Sequence, residues 1–180
     1  MAKILCRKHN EALSEVDTAA GHFFNVMRAF RHRAAMRAKG YRKPGGIDMY
    51  DVDGFLVERW MLKTIINLMV DQPLRQERWR PDDVWVRCAY GLAPFPDRCG
   101  LYLLADNKYR KASPDSGICI WTLTKGKNAD LLTGGHYKIE EAQFAITMAP
   151  LAGAHQPLYR LRALKDKPAL ELRQIINFRW

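Results

Sequence analysis

Val16, Ala20, Phe23, Met27, Phe30 and Ala34 recur at spacings of three and four, which places them on one stripe of an amphipathic helix. Ser14, followed three residues later by Asp17, has the form of a capped helix start, so the helix is predicted to run from there to about Lys39. Gly40 is its natural stop, and RKPGG at 42–46 reads as a linker. Asp48, Asp51 and Asp53 suggest an acidic turn whose last residue caps a second helix, Gly54 to Val70. Leu62, Ile65, Ile66 and Met69 give that helix a core face, and Glu58 suits its N-terminal dipole. Asp71-Gln72-Pro73 ends it, and RQERWRPDD makes a polar connection.

After Pro81 the pattern changes to period two and short apolar runs. Val84 to Cys88, Gly100 to Leu104, Ile118 to Thr124, His136 to Ile139, Gln143 to Met148, Tyr159 to Leu164 and Leu170 to Phe178 read as strands. Asp106-Asn107, the 113–117 run, Gly134-Gly135 and Gly153 punctuate them as turns. The expected fold is α+β, with N-terminal helices packed on a mostly antiparallel C-terminal sheet. A helical, basic half (residues 1–80) and a strand-rich half (81–180) would share one compact domain. The pattern contains no internal repeat and no low-complexity segment.

Composition leaves that picture intact: 180 residues with 48% apolar side chains suffice for a buried core and exclude a disordered chain. Charge changes it. From Arg28 to Lys43 the window RAFRHRAAMRAKGYRK holds seven Lys and Arg and no acid, most of the net +10 of the molecule. On a helical wheel Arg28, Arg31, Lys39 and Arg42 line one margin of the apolar stripe, and Arg33 and Arg37 the other. With Lys43, these seven cations form a candidate nucleic-acid-binding face, because clustered guanidinium groups fork onto phosphates and release counterions. Tyr41 offers a stacking surface, whereas Phe30 belongs to the core stripe. The plain alternative is a solvated helix whose arginines pair with the 48–53 acids or with acids of the sheet.

Near the N-terminus, Cys6-Arg7-Lys8-His9 has the spacing of half a tetrahedral zinc site. Leu5, Cys6, His9, Asn10, Leu13 and Ser14 resemble the tail of an HNH-type zinc knuckle, a treble clef, as found in uncharacterised bacterial and phage proteins. The resemblance covers residues 4–24 and implies a metal-ligand role for Cys6 and His9. Complete HNH-like proteins bind a metal and cut DNA. The Cys-x-x-Cys and histidine hairpin that precede the knuckle in them have no counterpart here, so no catalytic residue is implied.

Other chemistry is sparse. The five histidines are scattered, and the Asp48, Asp51, Asp53 spacing departs from a calcium loop, which favours solvated helix-start acids. No P-loop, Rossmann or nucleophile-elbow glycine pattern occurs. Trp60 and Trp121 read as core, while Trp79-Arg80 and the terminal Phe178-Arg179-Trp180 read as core or as interface anchors. Four cysteines without a signal-peptide apolar run point to free thiols or metal ligands in a reducing cytoplasm, the host's if a phage encodes the chain. The expectation is a non-enzymatic basic protein that binds nucleic acid or a nucleoprotein complex. A phage or mobile-element inhibitor of a host nucleoprotein machine would fit. A module for acidic protein surfaces and an HNH-like nuclease stand as alternatives, and no membrane partner is expected.

Overall fold

A computed structural model describes residues 7–41, 47–70, 81–104, 117–124, 130–140, 142–149, 158–166 and 174–180. Three helices and eight strands occur among them: α1 (Arg7–Ala38), β1 (Asp48–Asp53), α2 (Gly54–Val70), α3 (Asp83–Ala89), β2 (Gly100–Leu103), β3 (Gly117–Thr124), β4 (Asp130–Ile139), β5 (Ala142–Thr147), β6 (Leu158–Tyr159), β7 (Ala163–Asp166) and β8 (Gln174–Arg179). The fold is α+β, with the helices in the first half of the chain and two mostly antiparallel sheets whose strands, β1 excepted, follow them. One sheet has the order β1-β8-β7 and the other β3-β4-β5-β2-β6.

Helix α1 forms on the apolar stripe: Val16, Ala20, Phe23 and Met27 are buried, and Phe30 packs against the core from a half-buried position. It begins earlier than the Ser14–Asp17 signature suggests. Ser14 is interior, its hydroxyl donating to the Glu11 carbonyl at 2.8 Å, and Asp17 reaches across to Lys63 on α2. A side-chain bond back along the helix is the other common use of a serine hydroxyl, so the signature is ambiguous. The far end matches expectation. Gly40 takes φ +84°, its N–H meets the Arg37 carbonyl at 2.9 Å, and the Tyr41 N–H meets that of Met36 at 3.2 Å. Those are the two bonds of a Schellman cap.

Helix α2 has the predicted bounds, and the Asp53 carboxylate caps it by accepting from the Leu56 N–H at 2.9 Å. Val57, Met61, Leu62, Ile65, Ile66 and Met69 are buried, and the helix meets α1, α3 and strands of both sheets. Phe23 of α1 contacts Phe144 of β5 edge-on at 5.5 Å and Phe178 of β8 at 6.0 Å, so one aromatic-rich core joins all layers. The Tyr137 hydroxyl, fully buried, donates to the Met61 carbonyl.

Several expectations are corrected. Residues 48–53 form a strand rather than a turn: Tyr50 and Val52 face inward while Met49, Asp51 and Asp53 face out, a period of two that the acids disguise. This strand pairs in parallel with β8, the one departure from antiparallel pairing among the described strands. Val84–Cys88 is helical, not extended. Asp82 caps α3 through the Val84 N–H at 3.1 Å, and the inward positions Trp85, Cys88 and Ala89 follow helical spacing. The expected strand from Tyr159 to Leu164 divides between the two sheets, because Arg160 turns the chain with φ +44°. Gly134 and Gly135 lie inside β4 rather than at a turn. A Cβ on Gly134 would stand 2.3 Å from the Ile146 carbonyl oxygen, so the close strand approach, not chain reversal, requires glycine there. The segments read as 42–46, 71–80, 105–116 and 170–173 connections or strand start lie outside the described residues.

Candidate functional site

The last three turns of α1 carry the basic segment, and sheet β1-β8-β7 holds the helix in place. The His22 ring meets the Asp51 carbonyl at 2.9 Å, and the Gln174 side-chain amide donates to the Phe30 carbonyl at 3.1 Å. Two of the candidate cations also serve this docking. Arg33 forms an ion pair with Asp48 at the start of β1, and Arg31 one with Glu140 in the turn between β4 and β5. The second pair spans an apolar cleft of about 330 Å³ lined by Met27, Phe30, Ala34, Leu103 and Leu164. Arg37 is half-buried and engaged within the molecule.

Arg28 and Lys39 differ: both are exposed, and neither forms an ion pair with a described residue. With His32 and Ala35, also exposed, they mark positions four, three and four residues apart, a single outward stripe. At 1.5 Å rise per residue the stripe is about 16 Å long. Tyr41 stands beside its end, 63% exposed. Arg42 and Lys43 lie outside the described residues. The seven predicted cations therefore divide: two pair with the protein's own acids, one is half-buried, two face solvent and two lie outside the described residues.

Cys6 and the His9 side chain also lie outside the described residues, although the His9 backbone belongs to α1. Among the described residues no group of three His, Cys, Asp or Glu is placed to hold a metal ion. The acids at 48, 51 and 53 are put to structural use: Asp48 on Arg33, Asp51 on Arg179 and Asn177, Asp53 on the α2 cap. The Arg179 and Asn177 bonds hold the Asp51 carboxyl below the usual range. Trp180 is docked rather than free, its indole donating to the Leu161 carbonyl at 3.0 Å. No helix among the described residues is long and apolar enough to cross a membrane.

A second polar site centres on Glu58, which was expected to serve the α2 dipole but lies beyond the first turn and faces inward. Glu58 on α2 is buried, 1% exposed at its side chain, and both its oxygens are engaged. One accepts from the Leu101 N–H at 2.8 Å and from Arg160 Nε at 3.3 Å; the other accepts from Arg160 Nη2 at 3.0 Å. Burial pushes the Glu58 carboxyl up, against the pull of the Leu101 N–H and of Arg160. The Arg160 guanidinium sits over the rings of Tyr159, Phe55 and Trp180 at 5.2, 5.3 and 5.5 Å. A signal for the acid was present in the chain. Glu58, Leu62, Ile65 and Met69 fall on one helical stripe, and a carboxylate on a core face requires a partner. The partner, 102 residues onward, carried no such signal.

No family model, curated protein or solved structure matches the chain.

Proposed function

We propose that this chain is a non-enzymatic protein that attaches to nucleic acid through the exposed stripe of α1, gripping phosphates without reading bases. The observation that carries the reading is a charge surplus that internal pairing cannot cancel. Each ion pair consumes one cation and one acid, so 29 Lys and Arg against 19 Asp and Glu leave the net +10 whatever pairs form. Arg28 and Lys39, which form no ion pair with a described residue, stand on one outward stripe of an ordered helix, with Tyr41 exposed beside them. A stripe about 16 Å long spans roughly five phosphates of one strand, given one phosphate per 3.4 Å of duplex axis. The surface pairs of Arg31 and Arg33 are weak enough to exchange their carboxylates for phosphate, since exposed pairs contribute only about 0–1 kcal/mol.

The test is fluorescence anisotropy of labelled duplex DNA and single-stranded RNA with the whole chain over a salt series. Four contacts from Arg28, Lys39, Arg42 and Lys43 predict a slope of log K on log salt near −3.6, that is about −0.9 per phosphate on duplex DNA. The double substitution Arg28→Glu, Lys39→Glu should weaken binding and flatten the slope by about two. Absence of binding at low salt would transfer the surplus charge to an acidic protein partner, and an unchanged slope in the double variant would remove α1 from the interface.

A further inference from the structure

We propose that the cavity over Glu58, between α2 and the loop after α3, is a binding site for a small organic monocarboxylate with an apolar body. The inference is independent of the nucleic-acid reading. The cavity is about 320 Å³, at the lower end of the range for small-molecule pockets. Phe55, Leu92, Pro94 and Phe95 supply apolar walls, and the charged groups on it are Glu58, Arg59 and Arg160.

Those three groups leave one positive charge over. Glu58 neutralises Arg160 by a two-point contact, while Arg59 forms no ion pair or hydrogen bond with a described residue. A partly sheltered surplus of one charge is met by one negative charge. A carboxylate supplies that, whereas a phosphate monoester near its second ionisation brings nearly two. Arg160 Nη1 is outside the Glu58 contact, so it and the Arg59 fork are the donors that remain for the incoming carboxylate.

The surroundings are shaped to hold these charges. Arg160 is fixed by Glu58, by three aromatic rings and by its own N–H on the Leu101 carbonyl at 2.9 Å. Its backbone is left-handed at φ +44°, a conformation that costs a non-glycine residue about 1–3 kcal/mol and persists only where surrounding contacts impose it. Two glycines make room for the charged ends. A Cβ on Gly100 would lie 2.1 Å from a Glu58 carboxylate oxygen, and one on Gly91 2.5 Å from an Arg59 guanidinium nitrogen. Both also have positive φ, +129° and +70°. A fixed Arg160 with one amino group over, next to the Arg59 guanidinium and apolar walls, is an arrangement that recognises a carboxylate with a hydrocarbon or aromatic tail, the tail lying on Phe55 and Phe95.

The experiment is calorimetry and ligand-observed NMR on the whole chain with phenylacetate, hydrocinnamate and hexanoate, each against its primary amide. At least one acid should bind ten-fold or more tighter than its amide. Arg59→Gln should cost that acid ten-fold or more at unchanged Tm. Leu92→Glu, which puts a negative charge on the wall at a position 70% exposed, should weaken the acid at least ten-fold more than it weakens the amide. If no acid binds, if acid and amide bind alike, or if both variants retain the acid, the proposal is wrong. Because the ligands are small and monovalent, failure here leaves the salt-dependent binding of nucleic acid unaffected.

Discussion

Arginine meets carboxylate in two different settings in this molecule. Arg33–Asp48 and Arg31–Glu140 lie at the surface, with side-chain exposures of 39% and 37% in the first pair and 57% and 24% in the second. Arg160–Glu58 lies inside, where the carboxylate is 1% exposed and the guanidinium 26%. Water solvates the surface groups whether or not they pair, so those contacts help to orient α1 and contribute little energy. Glu58 has lost its water. Its charge is tolerable only because Arg160 and the Leu101 N–H replace the hydration shell, and removing either partner strands the other. The lesson concerns exchangeability: a surface pair can be traded for an external anion, while the inner pair must stay closed and any ligand has to use what it leaves over.

The largest effect expected from this contrast is in Arg160→Ala, which leaves Glu58 buried and unpaired. Unfolding free energy by denaturant titration should fall by about 3–5 kcal/mol. The loss should shrink in acid. Burial raises the folded pKa of Glu58, so its favourable contribution is complete below the ordinary carboxylate value and disappears as pH rises through the folded value. Removing the cation extends that window upward. A loss as small as that of a surface pair, or one independent of pH, would mean that the inner site is not held by charge.

Next in size is Gly100→Ala, whose Cβ meets a Glu58 oxygen at 2.1 Å on a backbone with φ +129°. Overpacking and left-handed strain together predict a loss of about 3 kcal/mol. A neutral result by thermal denaturation would show that Glu58 has space to move.

His136, buried on β4, follows. Burial holds its imidazole below the usual range, so its contribution is present above the ordinary histidine value and is lost as pH falls through the folded one. Stability should therefore fall as pH drops below the ordinary histidine range, and His136→Gln should flatten that part of the curve. A slope of the same size in the variant would assign the pH dependence to another group.

The smallest effect is reserved for Arg33→Ala and Arg31→Ala, each expected to cost less than about 1 kcal/mol and less still in high salt. A cost near that of Arg160→Ala would erase the distinction between the two settings.

Much of the fold was legible where local chemistry and burial agree. The stripe from Val16 to Ala34, the Gly40 cap and the Asp53–Val70 start and span all rest on contacts within a few turns. Legibility failed where two local codes coincide. Val84, Val86 and Cys88 alternate like a strand, yet Asp82 caps a helix there and Trp85, Cys88 and Ala89 turn inward at helical spacing. Residues 48–53 look like an acidic turn because Asp53 caps α2 locally while Asp48 and Asp51 are answered by Arg33 and Arg179, 15 and 128 positions away. In the candidate interface, the sequence left open whether the arginines face a ligand or pair with the 48–53 acids and acids of the sheet, and Arg33 and Arg31 pair in the second way, with Asp48 and Glu140. That Arg31 and Arg33 are engaged while Arg28 and Lys39 stand outward depends on which sheet residues α1 meets.

The chain by itself determined the α+β class, the helix that bears the cations and the unpaired sum of its charges, because periodicity and net charge are properties of neighbours and totals. Only the tertiary structure decided that Glu58 would face Arg160, that Gly91 and Gly100 would yield space to two charged ends, and which arginines remain outward. Those outcomes depend on distance between residues up to 109 positions apart, and Coulomb interaction and desolvation act through space rather than along the sequence.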